Sequence, residues 1–245
     1  MFTNSIIIPT YNHVALLKQC IESIKTTTDL KKTEVIVVAN GCKDETEKYV
    51  LSLGEPFQLI NSREPLGFTR AVNIGIMASS GKNIILLNDD AMILNWGNND
   101  GWIKMLEAPF ADPKMAATGA SQDYWSKGNL FLIFFCVMIP KKLLLQFGLL
   151  DEVFNPGAGE DADFCIKVQQ AGYKIRQVPR EFNDWKTEFP IYHIGHVTCG
   201  GVVGWDAIGA RNTAILETRY HRTEEDRKMQ KEFSKGLQNF NQWAK

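Results

Sequence analysis

The sequence predicts an α/β protein with a doubly wound, mostly parallel central sheet flanked by helices, and three observations predict it. Short apolar runs alternate with segments of helical spacing through the first 90 residues. The runs are continuous rather than alternating in polarity, as is typical of strands covered on both faces. Turn-forming residues follow the runs. Such alternation places crossover helices on both faces of a parallel sheet.

Four strands are predicted in this first half. "SIIIPT" is a short branched run that Pro9 stops, and "EVIVVAN" is a second that ends at Asn40-Gly41. "FQLIN" and "NIILL" are the third and fourth strands. In doubly wound proteins ligands bind beyond the carboxyl ends of the strands. Residues 9–12, 39–44, 61–67 and 88–90 occupy those ends.

Helices are predicted between these strands. Asn12 can cap the first of them, where apolar residues recur at helical spacing from Leu17 to Ile24. "DETEKYVLSLG" is a helix closed by Gly54. "GFTRAVNIGIMASSG" is also a helix, despite its glycines.

The second half is less regular. It holds an insertion ("NWGNNDGW"), a buried strand at 130–139, a helix from Lys141, a helix with an acidic start in "GAGEDADFCIKVQQAGY" and a strand in "IYHIGHV". From Thr223 the tail has a hydroxyl cap and an acidic first turn. One apolar stripe on this tail suits a membrane surface or a partner, but packing on the protein's own core is the commoner arrangement. The stripe comprises Met229, Phe233, Leu237, Phe240 and Trp243.

Composition excludes several classes of protein. The net charge of −1 gives no basic field for nucleic acid. Five cysteines without a C-x-x-C pair indicate neither a disulfide framework nor a zinc site and favour a reducing compartment. The N-terminus has no basic region of a signal peptide, and the longest apolar run is about half of a membrane span. We therefore expect a cytoplasmic protein without a transmembrane segment, and its tail stripe leaves peripheral membrane association open.

Two adjacent carboxylates, Asp89 and Asp90, follow Asn88 directly after the fourth strand. Such a pair repels itself unless a cation or hydrogen-bond donors neutralise it. A turn or helix cap explains Asn and Asp residues equally well when they are taken alone. The position at the ligand-binding edge of an interior strand favours a divalent cation that completes its shell with diphosphate oxygens.

A second acidic pair, Glu160-Asp161, follows "NPGAG". One reading is an acidic first helical turn, which is favourable to the helix dipole and needs no function. The other is a general base held beside a glycine-rich loop that lets a substrate approach. The spacing alone leaves the two readings even.

Two histidines, His193 and His196, lie in "IYHIGHVT". A histidine beside a strand is usually structural, although imidazole is also a frequent metal ligand. In an extended strand these two positions point to opposite faces, so we expect at most one to reach the site.

At this point four segments carry a resemblance to a known family. "SIIIPTYN", "EVIVVANGCKDET", "PLGFTRAVNIGIMASSGKNIILLNDD" and "LLDEVFNPGAGEDADFCIKVQQAGYKI" occur in the order typical of family 2 inverting glycosyltransferases, which have the GT-A (nucleotide-diphospho-sugar transferase) fold. The chain looks most similar to the rhamnosyltransferase-like branch. The resemblance implies a catalytic domain at 1–205, with a nucleotide-binding half at 1–90 and an acceptor half at 91–205. Residues 206–245 would form a helical C-terminal extension.

The resemblance also implies roles for individual residues. Donor contacts would come from Pro9, Thr10, Tyr11, Asn40, Gly67, Asn73, Asn88 and Asp89. Asn88-Asp89-Asp90 matches the family's D-x-D-like motif, with Asp89 near the ribose and Asp90 on the metal. Asp161 matches the catalytic base, with Glu160 beside it. His193 matches a late histidine that approaches the metal or diphosphate, and His196 is the alternative.

The chemistry that this implies is a metal-dependent transfer of a hexosyl or deoxyhexosyl group. The donor would be a UDP-, GDP- or dTDP-sugar, the acceptor a hydroxyl of a glycan or glycoconjugate, and the cofactor Mn²⁺ or Mg²⁺. A base such as Asp161 takes the acceptor proton, and a cation on Asp90 stabilises the departing diphosphate. One displacement with one base inverts the anomeric configuration.

Two departures from the family pattern and two rival readings accompany this prediction. Ala39 stands where the family usually has an Asp that contributes to base recognition, and Cys42 replaces a small hydroxyl residue. A sugar nucleotidyltransferase would carry an early glycine-rich phosphate loop, which "SIIIPTYNHVALLK" lacks. A non-catalytic nucleotide-sugar-binding module is favoured by Ala39 alone, and the presence of both Asp90 and Asp161 argues against it.

Overall fold

The core of the molecule is one seven-stranded sheet, seen in a computed structural model. The structure describes residues 2–94, 100–178, 189–195 and 204–241, without the side chains of residues 234 and 236–241. The strands of this sheet lie in the order β10 (Lys174–Gln177), β6 (Met115–Gly119), β9 (Cys136–Pro140), β4 (Asn83–Leu87), β1 (Asn4–Thr10), β2 (Thr33–Asn40) and β3 (Phe57–Ser62). All its neighbouring pairs are parallel except those that β9 makes with β4 and β6. The predicted α/β class and mostly parallel sheet are confirmed.

The elements follow one another as predicted through the first half and are more numerous in the second. The strands are β1 (Asn4–Thr10), β2 (Thr33–Asn40), β3 (Phe57–Ser62), β4 (Asn83–Leu87), β5 (Ala91–Ile93), β6 (Met115–Gly119), β7 (Gln122–Ser126), β8 (Asn129–Leu132), β9 (Cys136–Pro140), β10 (Lys174–Gln177) and β11 (Ile191–His193). The helices are α1 (Val14–Thr27), α2 (Thr46–Leu51), α3 (Phe68–Ala78), α4 (Gly101–Glu107), α5 (Lys141–Phe147), α6 (Glu160–Gln170), α7 (Trp205–Tyr220) and α8 (Glu224–Asn241).

Helices cover both faces of the sheet because its strands are apolar on both faces. Along β1, Ile6 and Ile8 pack into the cluster that holds α1 and α4, whereas Ile7 packs against α3 and α5. Successive strand residues point to opposite faces, so a continuous apolar run supplies two cores at once. A third, smaller cluster joins Trp125 of β7, α6 and Leu216 of α7.

Three local expectations were wrong. Pro9 does not stop β1, which continues to Thr10 beside β2. The pairing of β1 with β4 ends at Ile7, so the missing N–H of Pro9 removes no hydrogen bond to β4. The apolar run at 130–139 is two strands, since β8 pairs with β7 in a hairpin while β9 enters the main sheet. Asn12 does not cap α1; its Oδ1 accepts from Lys43 N, and Val14 N donates to Asp44.

The C-terminal helices pack on the rest of the chain in the part that the structure describes. Thr223 and Asp226 form a reciprocal cap at the start of α8, as the sequence predicts. Asp226 also accepts a 2.9 Å bond from the backbone N–H of Lys127, and the Phe233 ring lies 6.3 Å from that of Tyr124. Phe233 of the apolar stripe therefore packs on the β7–β8 hairpin, while Met229 is 47% exposed.

Candidate functional site

The candidate site lies at the edge of the sheet where the parallel strands β1, β2 and β4 end. Thr10 closes β1, Asn40 closes β2, and Asn88 follows β4. Because parallel strands end at the same edge, the structure brings these predicted donor residues together. Both Asp89 and Asp90 are buried here, at 4% and 6% exposure.

Asp90 is paired with His193, which lies about 100 residues later in the sequence. Strand β5 pairs antiparallel with β11 so that His193 stands opposite Ala91. This register places His193 Nε2 3.1 Å from Oδ1 of Asp90. The other oxygen of Asp90 accepts a 3.0 Å bond from the backbone N–H of Gly195. The short two-stranded ribbon thus builds the contact that the sequence could only propose.

The His193 imidazole has a fixed orientation. Its ring stacks on that of Phe135, with centroids 4.0 Å apart and planes 3° from parallel. The carbonyl of Phe135 in turn accepts from the backbone N–H of Asn88 at 2.8 Å. One residue therefore supports both the histidine and the acidic turn.

Asp90 is held in its ionised form. Burial acts to raise the pKa of its carboxyl, but His193 and the Gly195 N–H outweigh that effect and lower the pKa below its usual range. The carboxylate is therefore charged throughout the neutral range.

The Asp90–His193 pair fits a divalent cation. Nε2 of His193 is buried without an aligned hydrogen-bond partner, although it lies close to Asp90. Two neighbouring ligand atoms of one cation, each about 2.0–2.2 Å from it, lie about 3 Å apart. The distance of 3.1 Å between Nε2 of His193 and Oδ1 of Asp90 is close to that value. Within the described residues no three His, Cys, Asp or Glu side chains converge as a complete metal site. Other ligands would then come from water or from substrate oxygens, as Mg²⁺ commonly requires.

Asp89 faces β1 and the start of α1. Its Oδ2 accepts a 2.6 Å bond from the Thr10 hydroxyl and lies 3.6 Å from Nδ1 of His13. This contact with Asp89 is the main reason that the pKa of His13 is raised, against the opposing effect of its partial burial. Sequence reasoning missed His13; the signal for it was an imidazole three residues beyond a strand end.

A chain of hydrogen bonds links the end of β2 to the glycine-rich segment before α6. The Asn40 side chain accepts from the backbone N–H of Leu66, and the Leu66 carbonyl accepts a 2.7 Å bond from Asn155 Nδ2. Gly67 has a φ of 81°, and a Cβ there would lie 2.3 Å from Asn155 Oδ1. Only glycine fits this close approach.

Several predicted donor residues already have partners. Asn73 is buried and exchanges two hydrogen bonds with the backbone of Leu150.

The two departures from the family pattern lie at the end of β2. The Cys42 thiol donates to the Thr10 carbonyl at 3.3 Å and accepts from the backbone N–H of Asn12. Ala39 is fully buried in β2. The roles of Asn73, Pro9 and the exposed Tyr11 toward a donor stay predictions.

Glu160 and Asp161 form the first turn of α6, as the sequence indicates. Three residues of positive φ precede them, and Gly159 has a φ of 118°. A Cβ on Gly159 would lie 2.9 Å from the Phe154 ring, so glycine is required there. Asp161 Oδ1 accepts a 2.8 Å bond from Ala162 N, whereas Oε2 of buried Glu160 has no partner among the described residues.

This pair takes up protons readily. Burial raises the pKa of both carboxyls, and the charge of Asp161 raises that of Glu160 further. Backbone N–H groups at the helix start oppose the shift at Asp161, so Glu160 is the more easily protonated of the two. A carboxyl of raised pKa suits proton transfer near neutral pH. His196, the alternative to His193, lies outside the described residues.

Comparison with known proteins now places the chain in a family. The family model of glycosyl transferase family 2 matches residues 5–138, which is more than half of the chain. The chain belongs to glycosyl transferase family 2. The matched region contains Asp89 and Asp90, and it ends before Glu160, Asp161 and His193.

Relatives are similar over part of their own length. The chain is 24% identical over 231 residues to the uncharacterized protein y4gI of Sinorhizobium fredii (strain NBRC 101917 / NGR234), covering 77% of this chain and 24% of that protein. It is 40% identical over 86 residues to the uncharacterized glycosyltransferase RP339 of Rickettsia prowazekii (strain Madrid E), covering 35% and 26%. The chain therefore spans about a quarter of the length of each of these relatives.

Two solved structures share the fold. A Pyrobaculum calidifontis mannosyltransferase, PcManGT, in complex with GDP-Man and Mn²⁺ matches with a TM-score of 0.58 at 19% identity, over 72% of this chain and 54% of that one. GalNAc-T7 with UDP, GalNAc and Mn²⁺ matches with a TM-score of 0.62 at 16% identity, over 73% and 43%. The GT-A fold is thereby confirmed. The narrower rhamnosyltransferase-like branch stays a prediction.

Among the helices in the described ranges, none is both long enough and apolar enough to cross a bilayer.

Proposed function

We propose that this family 2 protein transfers a sugar from a nucleoside-diphosphate sugar to a hydroxyl of a glycan or glycoconjugate, with inversion at the anomeric carbon. The observation that carries the proposal is the Asp90–His193 pair at the end of β4. An ionised carboxylate and an imidazole nitrogen lie 3.1 Å apart, without an aligned hydrogen bond between them, where this fold binds ligands.

The proposed cofactor is Mn²⁺ or Mg²⁺ on Asp90 and His193. The two matched structures named above contain Mn²⁺ with GDP-Man or with UDP, which supports this choice for a similar fold. When bound, the cation neutralises the charge that develops on the departing diphosphate. Asp89 and Thr10 are left to bind the nucleoside, with their mutual hydrogen bond fixing the carboxylate.

Asp161 is the proposed base. It is only partly exposed, and its raised pKa lets it accept a proton from the acceptor hydroxyl as that oxygen attacks. The hydroxyl oxygen forms the new glycosidic bond while the bond to the diphosphate breaks, so no protein nucleophile is needed. Glu160 lies beside Asp161 and is proposed to shape the acceptor side of the loop.

The proposed division of labour along the chain follows from these assignments. Residues 1–90 bind the donor, residues 91–205 supply the acceptor side and the base, and residues 206–245 form the helical extension. A cytoplasmic location, with or without contact with a membrane surface, belongs to the same proposal.

The decisive experiment is a thermal-shift panel of UDP-, GDP- and dTDP-sugars with and without MnCl₂. A donor at a hundredfold excess over its dissociation constant stabilises the protein by roughly 2.7 kcal/mol. We expect one nucleotide class to raise the melting temperature, and only when Mn²⁺ is present. Absence of any cation-dependent shift across the panel would overturn the proposal.

Turnover separates an enzyme from a binding module. The nucleotide sugar selected by the panel is incubated with the protein and Mn²⁺, and release of free nucleoside diphosphate is followed with water as the acceptor. We expect slow release that stops when Asp161 is replaced by Asn. A protein that binds the donor and never releases diphosphate is a binding module instead.

A further inference from the structure

The segment that carries the proposed base is bonded on one side to the donor half of the molecule. The Phe68 N–H donates to the Pro156 carbonyl at 2.7 Å, and Asn155 Nδ2 donates to the Leu66 carbonyl at the same distance. Residues 150–159, here called the base loop, thus lean on the segment that precedes α3. These contacts fix the loop at Asn155 and Pro156.

The other side of the base loop is bonded to α7, in the helical extension. Asn212 Nδ2 lies 2.9 Å from the Phe154 carbonyl, 2.8 Å from that of Gly157 and 2.7 Å from that of Ala158. The neighbouring Arg211 Nη2 donates to the Asn155 carbonyl at 2.7 Å. Asn212 is 1% exposed, so these contacts are shielded from bulk water.

The base loop needs such a partner because of its backbone. Ala158 has a φ of 71° and Gly159 one of 118°, so the chain just before Glu160 is not helical. The Gly159 carbonyl accepts from the Asp163 N–H of α6, whereas the carbonyls of Gly157 and Ala158 lie outside that helix. A non-glycine residue at positive φ persists only where surrounding contacts hold it. The two N–H groups of the Asn212 carboxamide are donors within reach of the Gly157 and Ala158 carbonyls, while the Phe154 carbonyl also accepts from the backbone N–H of Gly157.

We infer that Asn212 is a positioning residue for transfer: it holds the base loop so that Asp161 stays in place for the acceptor hydroxyl. This inference rests on the proposed function in assigning the base to Asp161. It makes α7 a part of the working site, although α7 lies outside residues 5–138 that the family model matches. Asn212 itself touches no substrate in this scheme.

The test uses Asn212→Asp, which keeps the shape of the side chain and removes its N–H donors. Hydrogen exchange of the backbone amides of residues 154–163 is compared between this variant and the wild type. We expect faster exchange in this segment and unchanged exchange in β1 and β2. Asn212→Ala, which adds no charge, serves as a second variant should the aspartate prevent folding.

Kinetics give the second readout. With the nucleotide sugar selected by thermal shift, we expect donor affinity to be unchanged and diphosphate release to fall roughly 10- to 100-fold, the cost of a misplaced reacting group. The control is Ser5→Ala. Ser5 is fully buried and makes two hydrogen bonds near the start of β1, at the opposite end of the strand from the site. We therefore expect this variant to lose comparable stability and to keep its turnover number.

The outcomes separate the inference from the proposed function. Unchanged exchange at residues 154–163 in both Asn212 variants would overturn the inference whatever the activity. Faster exchange with full turnover would deny Asn212 a role in transfer. A wild type that binds and releases no nucleotide sugar would overturn the proposed function, and the exchange experiment would still report on the loop.

Discussion

The two acidic pairs of this molecule are both made of adjacent carboxylates, but their surroundings are opposite. Asp89 and Asp90 follow a buried strand and accept hydrogen bonds from Thr10 and from the Gly195 N–H, and Asp90 lies beside His193. Glu160 and Asp161 begin a helix, and one oxygen of Glu160 is buried without a partner among the described residues. The pKa of Asp90 is lowered, whereas the pKa values of Glu160 and Asp161 are raised.

The protonation state of two adjacent carboxylates is thus set by the hydrogen-bond donors around them and not by their sequence. A carboxylate supplied with N–H and O–H groups stays charged and suits a cation. A carboxylate that is buried with few donors gains and loses a proton near neutral pH and suits acid–base work. The following predictions test this contrast, beginning with the largest expected effect.

The largest effect is expected from Asp161→Asn. Loss of a positioned general base should lower transfer by ~10²–10⁴-fold, while nucleotide-sugar and Mn²⁺ affinities stay nearly unchanged. Titrations of donor and metal are paired with transfer rates for the wild type and the variant. Glu160→Gln is the matched control and should lose less activity. A larger loss in Glu160→Gln would move the base to Glu160, and weaker donor binding in Asp161→Asn would move Asp161 to the donor site.

Asp90→Asn should remove the dependence of nucleoside-diphosphate binding on Mn²⁺ and leave the fold intact. We expect at least about 100-fold weaker binding with Mn²⁺, since even groups that only support a metal ligand cost about 10–100-fold. Isothermal titration with and without MnCl₂ measures it. The adjacent Asp89→Asn should weaken nucleotide binding while its response to Mn²⁺ persists. If Asp90→Asn still responds to Mn²⁺ like the wild type, the acidic pair is only a turn.

His193→Ala should weaken diphosphate affinity in the presence of Mn²⁺ by roughly 10- to 100-fold, the range known for the loss of a group that supports a metal site. The same titration on His196→Ala provides the comparison, because His196 is the second histidine of this segment. Equal and negligible effects would assign both histidines a structural role.

The smallest effect concerns stability and pH. Burial raises the folded-state pKa of Glu160 above its ordinary 4.5, so the native protein binds its proton more tightly than the unfolded chain. The contribution of Glu160 to stability is therefore full below pH 4.5 and is lost as the pH rises through the raised value. Glu160→Gln cannot ionise and should gain melting temperature relative to the wild type as the pH rises.

Melting temperatures of both proteins at about pH 5 and about pH 9 test this prediction. Each kcal/mol corresponds to about 2–4 °C in a chain of this size. The exposed Glu225→Gln, in the first turn of α8, is the control and should show no such trend. A difference between Glu160→Gln and the wild type that stays constant with pH would contradict a raised pKa.

Much of the fold could be predicted because local patterns specify it. Continuous branched runs give β1 to β4, and the glycine and hydroxyl signals give the starts of α6 and α8. The split of the run at 130–139 could not be predicted, since β8 and β9 are apolar alike and differ only in the partner strands that pair with them. Pro9 misled for the same reason: its tolerance depends on where β4 stops pairing.

The candidate site divides in the same way. Asp89, Asp90, Glu160 and Asp161 could be singled out because strand ends and helix starts are local signals. Asn212 could not be found, because an asparagine inside a helix has no local mark and its three carbonyl partners lie more than 50 residues away. His13 was missed because only the packing of α1 on the strand ends places it beside Asp89.

The β5–β11 ribbon has a consequence for the order in which the molecule assembles. Gly195 and Asp90 are 105 residues apart, and closing so long a loop is slow and entropically costly. On the ribosome the acidic turn therefore emerges long before the histidine that completes it. We expect the central strands to be folded while Asp90 still faces water, and the cation site to close only after β11 has emerged.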